Sequence, residues 1–181
     1  YYDGREYMHN NILHLVIGKS LCYFSLYILP VVYILHFIPW LFNYPQLGVQ
    51  WEIYAFCVPF LLSSVFFGMT LSVFVRERET SFLLFVFTSL IFLFISGITW
   101  PRYAMPDVWR WFGAIIPSTW GIEGFVRMNT AGAGIYDVRK AYSILWILTG
   151  VYFISTCLVY RYQIFKDKVR GHKGIMDSEN M

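Results

Sequence analysis

The chain has 181 residues, of which 57% are hydrophobic, 21% aromatic and only 14% charged, with a formal net charge of +3. Soluble domains carry about 25% charged residues, and here the apolar residues gather into long blocks, which excludes an ordinary water-soluble domain. The three cysteines lie inside apolar blocks without a Cys-x-x-Cys spacing, which argues against a disulfide framework or a zinc site.

The first segment is polar at its start and then becomes amphipathic. Because the chain begins at Tyr1 without the basic start and apolar stretch of a secretory signal, we interpret it as a fragment of a longer protein. In residues 6–20, helical spacing relates the apolar side chains of Met8, Ile12, Leu15 and Val16. This pattern predicts a helix at the inner membrane surface. Two roles fit it: a passive lead-in, or the surface that receives a cytoplasmic partner.

Four apolar blocks are long enough to cross a bilayer as helices. A hydrocarbon core of about 30 Å needs about 20 residues per helix, with every backbone polar group bonded internally. The blocks occupy residues 21–42, 51–75, 81–99 and 142–160. The sequence therefore predicts an all-α fold, a polytopic transmembrane helical bundle over residues 21–160. Residues 1–20 precede it, and residues 161–181 form a cytoplasmic tail.

Positive charges and tryptophans set the expected orientation. With residues 1–20 in the cytoplasm, nine of the 14 Lys and Arg residues fall inside and five outside, in line with the positive excess of cytoplasmic loops. The seven tryptophans lie at or near the outer ends of spans, where amphipathic rings prefer the interface. Both ends of this chain are therefore expected in the cytoplasm.

The second span and the turn after it carry two short patterns. Ser64, Gly68 and Ser72 recur every fourth residue, which aligns small side chains on one helix face and lets another backbone approach closely. We interpret this face as a packing surface, either within one subunit or between two. The turn is an alternating charged run of Arg76, Glu77, Arg78 and Glu79. Such a run is typical of a solvated loop, or it could be the site where a soluble motor protein makes contact.

Residues 100–139 form the most unusual segment, between the third and fourth spans. One helical face collects Met105, Val108, Trp109, Phe112 and Ile116, and prolines interrupt the segment at Pro101, Pro106 and Pro117. The pattern predicts one or two short helices that lie in, or dip back into, the outer leaflet. Such a segment is a candidate lid at the outer end of a pathway. Nearby, Glu52 and Glu123 would meet a cationic or polar solute, or pair with arginine.

Catalytic motifs are missing from the sequence. Gly18-Lys19-Ser20 lacks the preceding glycine of a P-loop, and His9 and His14 do not have the spacing of a metalloprotease. No Gly-x-Ser-x-Gly elbow occurs, and the spans hold no carboxylate pair for an aspartyl dyad. We therefore expect no catalytic residue, no metal site and no nucleic-acid partner.

One ordered series of residues is more specific than any single motif. It runs through Gly68-Met69-Thr70-Leu71, Ser96-Gly97, Trp100-Pro101, Met105-Pro106, Ile116-Pro117-Ser118-Thr119-Trp120 and Glu123-Gly124. As a whole, this series resembles the C-terminal region of the type-2 ABC transporter permeases, the membrane subunits of bacterial ABC exporters. In that family the equivalent of residues 100–128 forms short outward-facing helices that re-enter the membrane before the last span.

The resemblance also implies roles for individual residues. An outer gate would include Trp100, Pro101, Met105, Pro106, Pro117 and Glu123. Residues 6–20 are placed like the family's coupling helix, so contacts with an ATPase would involve Met8, Ile12, Leu15, Arg76, Glu77, Arg78 and Glu79. A complete permease of this family has six spans and works as a dimer with two ATP-binding subunits.

The function implied by the resemblance is that of a permease subunit in an ATP-driven ABC exporter of the bacterial inner membrane. It would form the efflux path for an amphipathic, drug-like or lipid-linked solute. ATP and Mg would bind a separate ABC ATPase subunit, so no cofactor is expected in this chain. Further expected partners are a second permease subunit in a homo- or heterodimer, membrane lipid and a periplasmic adaptor protein. The alternatives are a structural or assembly membrane protein without a transport path and, less favoured, an intramembrane enzyme.

Overall fold

The computed structural model describes residues 12–43, 47–72, 78–97 and 104–179. Within these ranges the chain forms helices joined by short turns, with no strand among the described residues. The prediction of an all-α helical bundle is therefore confirmed. Apolar helices satisfy their backbone groups internally, which is what a chain of this composition requires in lipid.

The helices follow one another closely along the chain. Helix α1 (Ile12–Val32) continues through a π-helical segment, Tyr33–Phe37, into the short α2 (Ile38–Phe42). The others are α3 (Gln50–Ser72), α4 (Arg78–Ile95), α5 (Asp107–Ile115), α6 (Pro117–Ala131) and α7 (Arg139–Glu179). Helix α6 ends at Gly132, whose φ of 63° is the left-handed cap conformation that glycine adopts without strain.

Three helical segments among the described residues are long and apolar enough to cross a membrane. They are His14–Phe42, Gln50–Ser72 and Arg139–Tyr162, with mean hydropathies of 2.0, 1.8 and 1.8. They overlap the predicted spans 21–42, 51–75 and 142–160. The predicted span 81–99 falls on α4, which contributes the shorter apolar stretch Phe85–Ile95; residues 98 and 99 lie outside the described residues.

Helix α3 is at the centre of the bundle and packs along α1, α6 and α7. One core cluster joins Ile53 and Phe56 of α3 to Met128 of α6 and Leu145 of α7. A second cluster is formed by Val16 of α1, Val65, Phe66 and Met69 of α3, and Tyr152 of α7. Because Val16 lies near the start of α1 and Met69 near the end of α3, these two helices run antiparallel.

The bundle therefore has two distinct ends. We call the end where α1 begins and α3 finishes the terminal end, and the end where α3 and α7 begin the loop end. At the terminal end the Lys19 Nζ atom lies 5.1 Å from the ring centroid of Tyr160. Helix α7 continues past Tyr160 to Glu179. Over its whole length, from Arg139, it has 41 residues and is about 60 Å long at 1.5 Å per residue.

The start of α1 differs from the predicted surface helix over residues 6–20. From Ile12 onward these residues belong to the same continuous helix as the first span, without a break at Ser20. Val16 is fully buried and Ser20 nearly so, and the Ser20 hydroxyl donates to the Ile17 carbonyl, 2.9 Å away. In the structure residues 12–20 are therefore the first turns of the helix that contains the first span, and Val16 packs into the bundle. The role of residues 6–20 as a coupling surface stays a prediction.

Candidate functional site

Helix α6 crosses α3 with two glycines on the rings of two phenylalanines. A Cβ atom added to Gly121 would overlap the Phe60 ring, and one added to Gly124 would overlap the Phe56 ring. Phe56 is 1% exposed, so its ring cannot move aside without repacking the core. Since Gly121 faces Phe60 and Gly124 faces Phe56, α6 runs antiparallel to α3 and lies inside the bundle.

The chain direction changes sharply between α5 and α6, and two buried side chains donate hydrogen bonds to the backbone at this break. Ile116 is extended (φ −83°, ψ 125°), and Pro117 begins α6, where its missing N–H leaves no unpaired donor. The Trp120 indole N–H donates to the Ala114 carbonyl at 2.9 Å. The Tyr152 hydroxyl donates to the Ile115 carbonyl at 2.7 Å. The last carbonyls of α5, which have no partner within the helix, are thereby satisfied.

Tyr152 places this break deep in the bundle. It lies 13 residues after Arg139, the first residue of α7, or about 20 Å along the helix axis. Helix α6 then returns towards the loop end, where Met128 packs in the same cluster as Ile53. The α6 part of residues 100–139 therefore packs within the bundle, and its position relative to the outer leaflet stays a prediction.

A seam of hydroxyl groups joins α3 to α7. The Thr149 Oγ1 atom lies 2.8 Å from the Leu145 carbonyl and 3.3 Å from the Pro59 carbonyl. About two turns further along α7, Thr156 Oγ1 lies 3.0 Å from Thr70 Oγ1 and 3.2 Å from the Phe66 carbonyl. Both threonines are buried, so hydrogen bonds across the seam stabilise the pairing of these helices.

We expect Thr156→Val to weaken this seam by about 1 kcal/mol, because the shape is kept while interhelical hydrogen bonds are lost. The effect stays moderate because the Thr70 hydroxyl keeps its bond to the Phe66 carbonyl at 2.9 Å. Thermal unfolding in detergent measures the change, with Ser143→Ala at an exposed position of the same helix as the control. Equal melting temperatures for both variants would contradict the role of the seam.

Glu52 stabilises the turn between α6 and α7 at the loop end. Its Oε2 atom accepts a hydrogen bond from the Ile135 N–H at 2.8 Å. Beside it, the Gly134 N–H donates to Asp137 Oδ2 at 3.2 Å. Of the two predicted roles, pairing with arginine fits Glu123, whose carboxylate lies 3.1 Å from Arg127. Glu52 instead has a structural hydrogen bond to the backbone.

The residues predicted for the outer gate are distributed over three places. Trp100 and Pro101 lie outside the described residues. Met105 and Pro106 line a cavity of about 390 Å³ between α4 and α5, together with Ile91, Phe94, Ile95 and Trp109. Pro117 is buried at the break before α6, and Glu123 is on the next turns of α6. Helix α5 connects the cavity to the break before α6. A gate formed by these two regions stays a prediction.

The residues predicted to contact an ATPase are only partly described. Met8, Arg76 and Glu77 lie outside the described residues. Ile12 begins α1, Leu15 is half-buried on it, and Arg78 and Glu79 begin α4. The start of α1 and the end of α3 share the terminal end, because Val16 packs with Met69. Contact of either region with an ATPase stays a prediction.

Two of the three residues on the small-residue face of α3, Gly68 and Ser72, are exposed within the described chain. A Cβ atom added to Gly68 would meet no atom within 4 Å. Close packing is provided instead by Gly121 and Gly124, which sequence reasoning passed over. The signal that could have found them is their spacing of three residues, which places two glycines on one helix face. Packing of the α3 face between subunits stays a prediction.

Comparison with known proteins gives one family. The family model described as ABC-2 family transporter protein matches residues 7–158, a range that includes α1 to α6 and the membrane-capable part of α7 up to its last turn. No curated protein matches the chain. No solved structure matches it either.

Proposed function

The chain belongs to the ABC-2 family of transporter proteins, and from this premise we propose that it exports an amphipathic, drug-like or lipid-linked solute. The predicted resemblance is thereby confirmed, and the chain is a multi-pass membrane permease rather than a catalytic subunit. The proposal adds the direction of transport, the bacterial inner membrane and a separate ABC ATPase that binds ATP and Mg.

The observation that carries the proposal is the direct connection from α7 to the break between α5 and α6. Tyr152 bonds the Ile115 carbonyl on this break, and α7 continues from Tyr152 through the terminal end to Glu179. Because a helix transmits an axial displacement along its length, movement of α7 at the terminal end would reach α5 and α6. That is the connection an ATP-driven gate requires.

The proposed ATPase contact is at the terminal end. Arg76 lies outside the described residues, in the charged run that links α3 to α4 in sequence, and Arg78 is the first residue of α4. The start of α1 lies at the same end as the end of α3, because Val16 packs against Met69. The continuation of α7 beyond Tyr162 also leaves from this end. Grouping these charged segments on one side supports a cytoplasmic terminal end, in keeping with the excess of positive charge there.

An amphipathic solute is supported by the surface of the membrane-capable helices. The described outward side chains of α1, α3 and α7 are predominantly apolar. The threonines buried between α3 and α7 are bonded within the chain. The described helices therefore offer a hydrophilic solute few polar groups, whereas an apolar part of a solute meets a favourable surface.

The exposed small-residue face of α3 is the proposed contact with a second permease subunit. Gly68 leaves open space for a neighbouring backbone, and small residues at four-residue spacing favour close helix pairing in lipid. A periplasmic adaptor protein is a further proposed partner, at the loop end.

The decisive experiment is co-purification with the candidate ATPase, followed by ATP hydrolysis in proteoliposomes. We expect the Arg76→Ala, Arg78→Ala double variant to lower the permease-dependent hydrolysis rate about five- to tenfold, in the range of typical coupling free energies. The matched control removes two positive charges at the loop end, with Arg139→Ala and Lys140→Ala. This control should retain the wild-type rate.

The outcomes distinguish a transport subunit from a structural or assembly membrane protein. Equal loss in both double variants would contradict a coupling contact at Arg76 and Arg78. If no ATPase associates with the wild-type protein, the exporter proposal fails, and the structural or assembly protein becomes the better explanation. Transport of a labelled amphipathic dye in the same vesicles then tests the solute class.

A further inference from the structure

The cavity between α4 and α5 is an apolar groove of ligand size. Its volume of about 390 Å³ lies within the range of small-molecule sites, roughly 300–1,000 Å³. Helix α4 contributes Ile91, Phe94 and Ile95, and the other described lining residues are Met105, Pro106 and Trp109. None of these side chains carries a charge, so the groove favours a hydrocarbon group over an ionic one.

The groove has a closed floor and an open side. Ile95 at the floor is 8% exposed, whereas Ile91, Phe94 and Trp109 are 52%, 48% and 53% exposed. The floor is closed because Gly113 has no side chain. A Cβ atom there would lie 2.9 Å from Ile95 Cγ2, so only glycine allows α4 to approach α5 this closely. A narrow ligand can therefore enter from the side and end against Ile95.

The surface around the open side indicates what fills the groove. Along α4, nine of the twelve described side chains from Phe82 to Phe94 are apolar and 44–70% exposed. In a multi-pass membrane protein such a surface faces acyl chains, not water. We propose that the groove holds one acyl chain of a bilayer phospholipid as a resident ligand. This proposal does not depend on export, on the ATPase or on the transported solute.

The test uses photo-crosslinking of protein purified in detergent, where loosely held surrounding lipid has been removed. The probe is phosphatidylglycerol with a diazirine on one acyl chain, and labelled peptides are mapped by mass spectrometry. We expect labels on the α4 and α5 peptides that line the groove. Ile91→Trp, which fills the groove, should lower this labelling about tenfold, because excluding about two methylene groups from an apolar site has an effect of that size.

Leu90→Trp is the matched control. Leu90 is the neighbouring residue on α4, similarly exposed at 55%, and does not line the groove. It should retain wild-type labelling. Equal labelling of both variants, or labels spread evenly over all exposed helices, would overturn the proposal. Native mass spectrometry provides a second readout, in which wild type and Leu90→Trp retain one phospholipid per chain and Ile91→Trp does not.

A second probe separates a bilayer lipid from a free fatty acid, since both carry an acyl chain. Diazirine-labelled stearic acid replaces the phospholipid in the same experiment. Labelling by phospholipid, with or without labelling by the free acid, supports the bilayer source. Labelling by the free acid alone would overturn it. Because no ATPase is present in this experiment, a negative result here leaves the hydrolysis test of the exporter proposal unaffected.

Discussion

Gly124→Ala is expected to destabilise the bundle by about 2 kcal/mol. The added methyl overlaps the ring of Phe56, which is 1% exposed. Overpacking a well-packed core typically costs about 1–3 kcal/mol. Alanine also stabilises a helix relative to glycine by about 1 kcal/mol. We expect an overpacking cost of about 3 kcal/mol here, which outweighs that gain. Unfolding in detergent measures the difference.

Two comparisons make the result specific to the crossing of α3 and α6. Gly150→Ala is the control, since a Cβ atom there meets nothing within 4 Å, and it should be neutral or slightly stabilising. In the Gly124→Ala background, Phe56→Leu should recover part of the stability, because the smaller side chain leaves room for the methyl group. Additive losses in this double variant would contradict a direct clash between the two positions.

Tyr152→Phe is expected to destabilise the break between α5 and α6 by about 1–3 kcal/mol. The substitution keeps the ring but removes the donor to the Ile115 carbonyl, which is then left without this partner beside a buried ring. Local opening of the break should therefore become more frequent. Hydrogen exchange of the amides from Ile115 to Gly121 measures this opening directly, and we expect faster exchange there.

The control is Tyr162→Phe, at an exposed position on the same helix. It removes the same hydroxyl without touching the break and should leave the exchange of α5 and α6 unchanged. In vesicles with the ATPase, Tyr152→Phe should also lower solute transport more than ATP hydrolysis, since it removes the hydrogen bond that links α7 to the end of α5. Unchanged exchange at the break in Tyr152→Phe would show that Trp120 holds it alone.

Local composition was sufficient to predict which segments form long helices. The blocks 21–42, 51–75 and 142–160 are apolar over about 20 residues, and in lipid such a stretch can satisfy its backbone groups only as a helix. The ordered series from Gly68 to Gly124 was likewise sufficient to predict the family. The apolar face and the prolines in residues 100–139 predicted one or two short helices, and in the structure Pro117 is the first residue of α6.

Only the tertiary structure decided which faces pair. The sequence offered Ser64, Gly68 and Ser72 as a packing face, but a Cβ atom on Gly68 would meet nothing within 4 Å, whereas Gly121 and Gly124 are in close contact with α3. It separated residues 6–20 from the first span, but Val16 packs against Met69, so the described part of that segment belongs to the bundle.

The physical reason lies in the distance along the chain between the groups that meet. Thr149 and Pro59 are 90 positions apart, and Tyr152 and Ile115 are 37 positions apart. Residue spacing within one helix shows which side chains share a face, but it carries no information about the helix that this face will meet. In an apolar chain nearly every face is compatible with lipid, so hydrophobicity does not choose among them. Shape and a few buried hydrogen bonds make that choice, and both exist only once the helices are together.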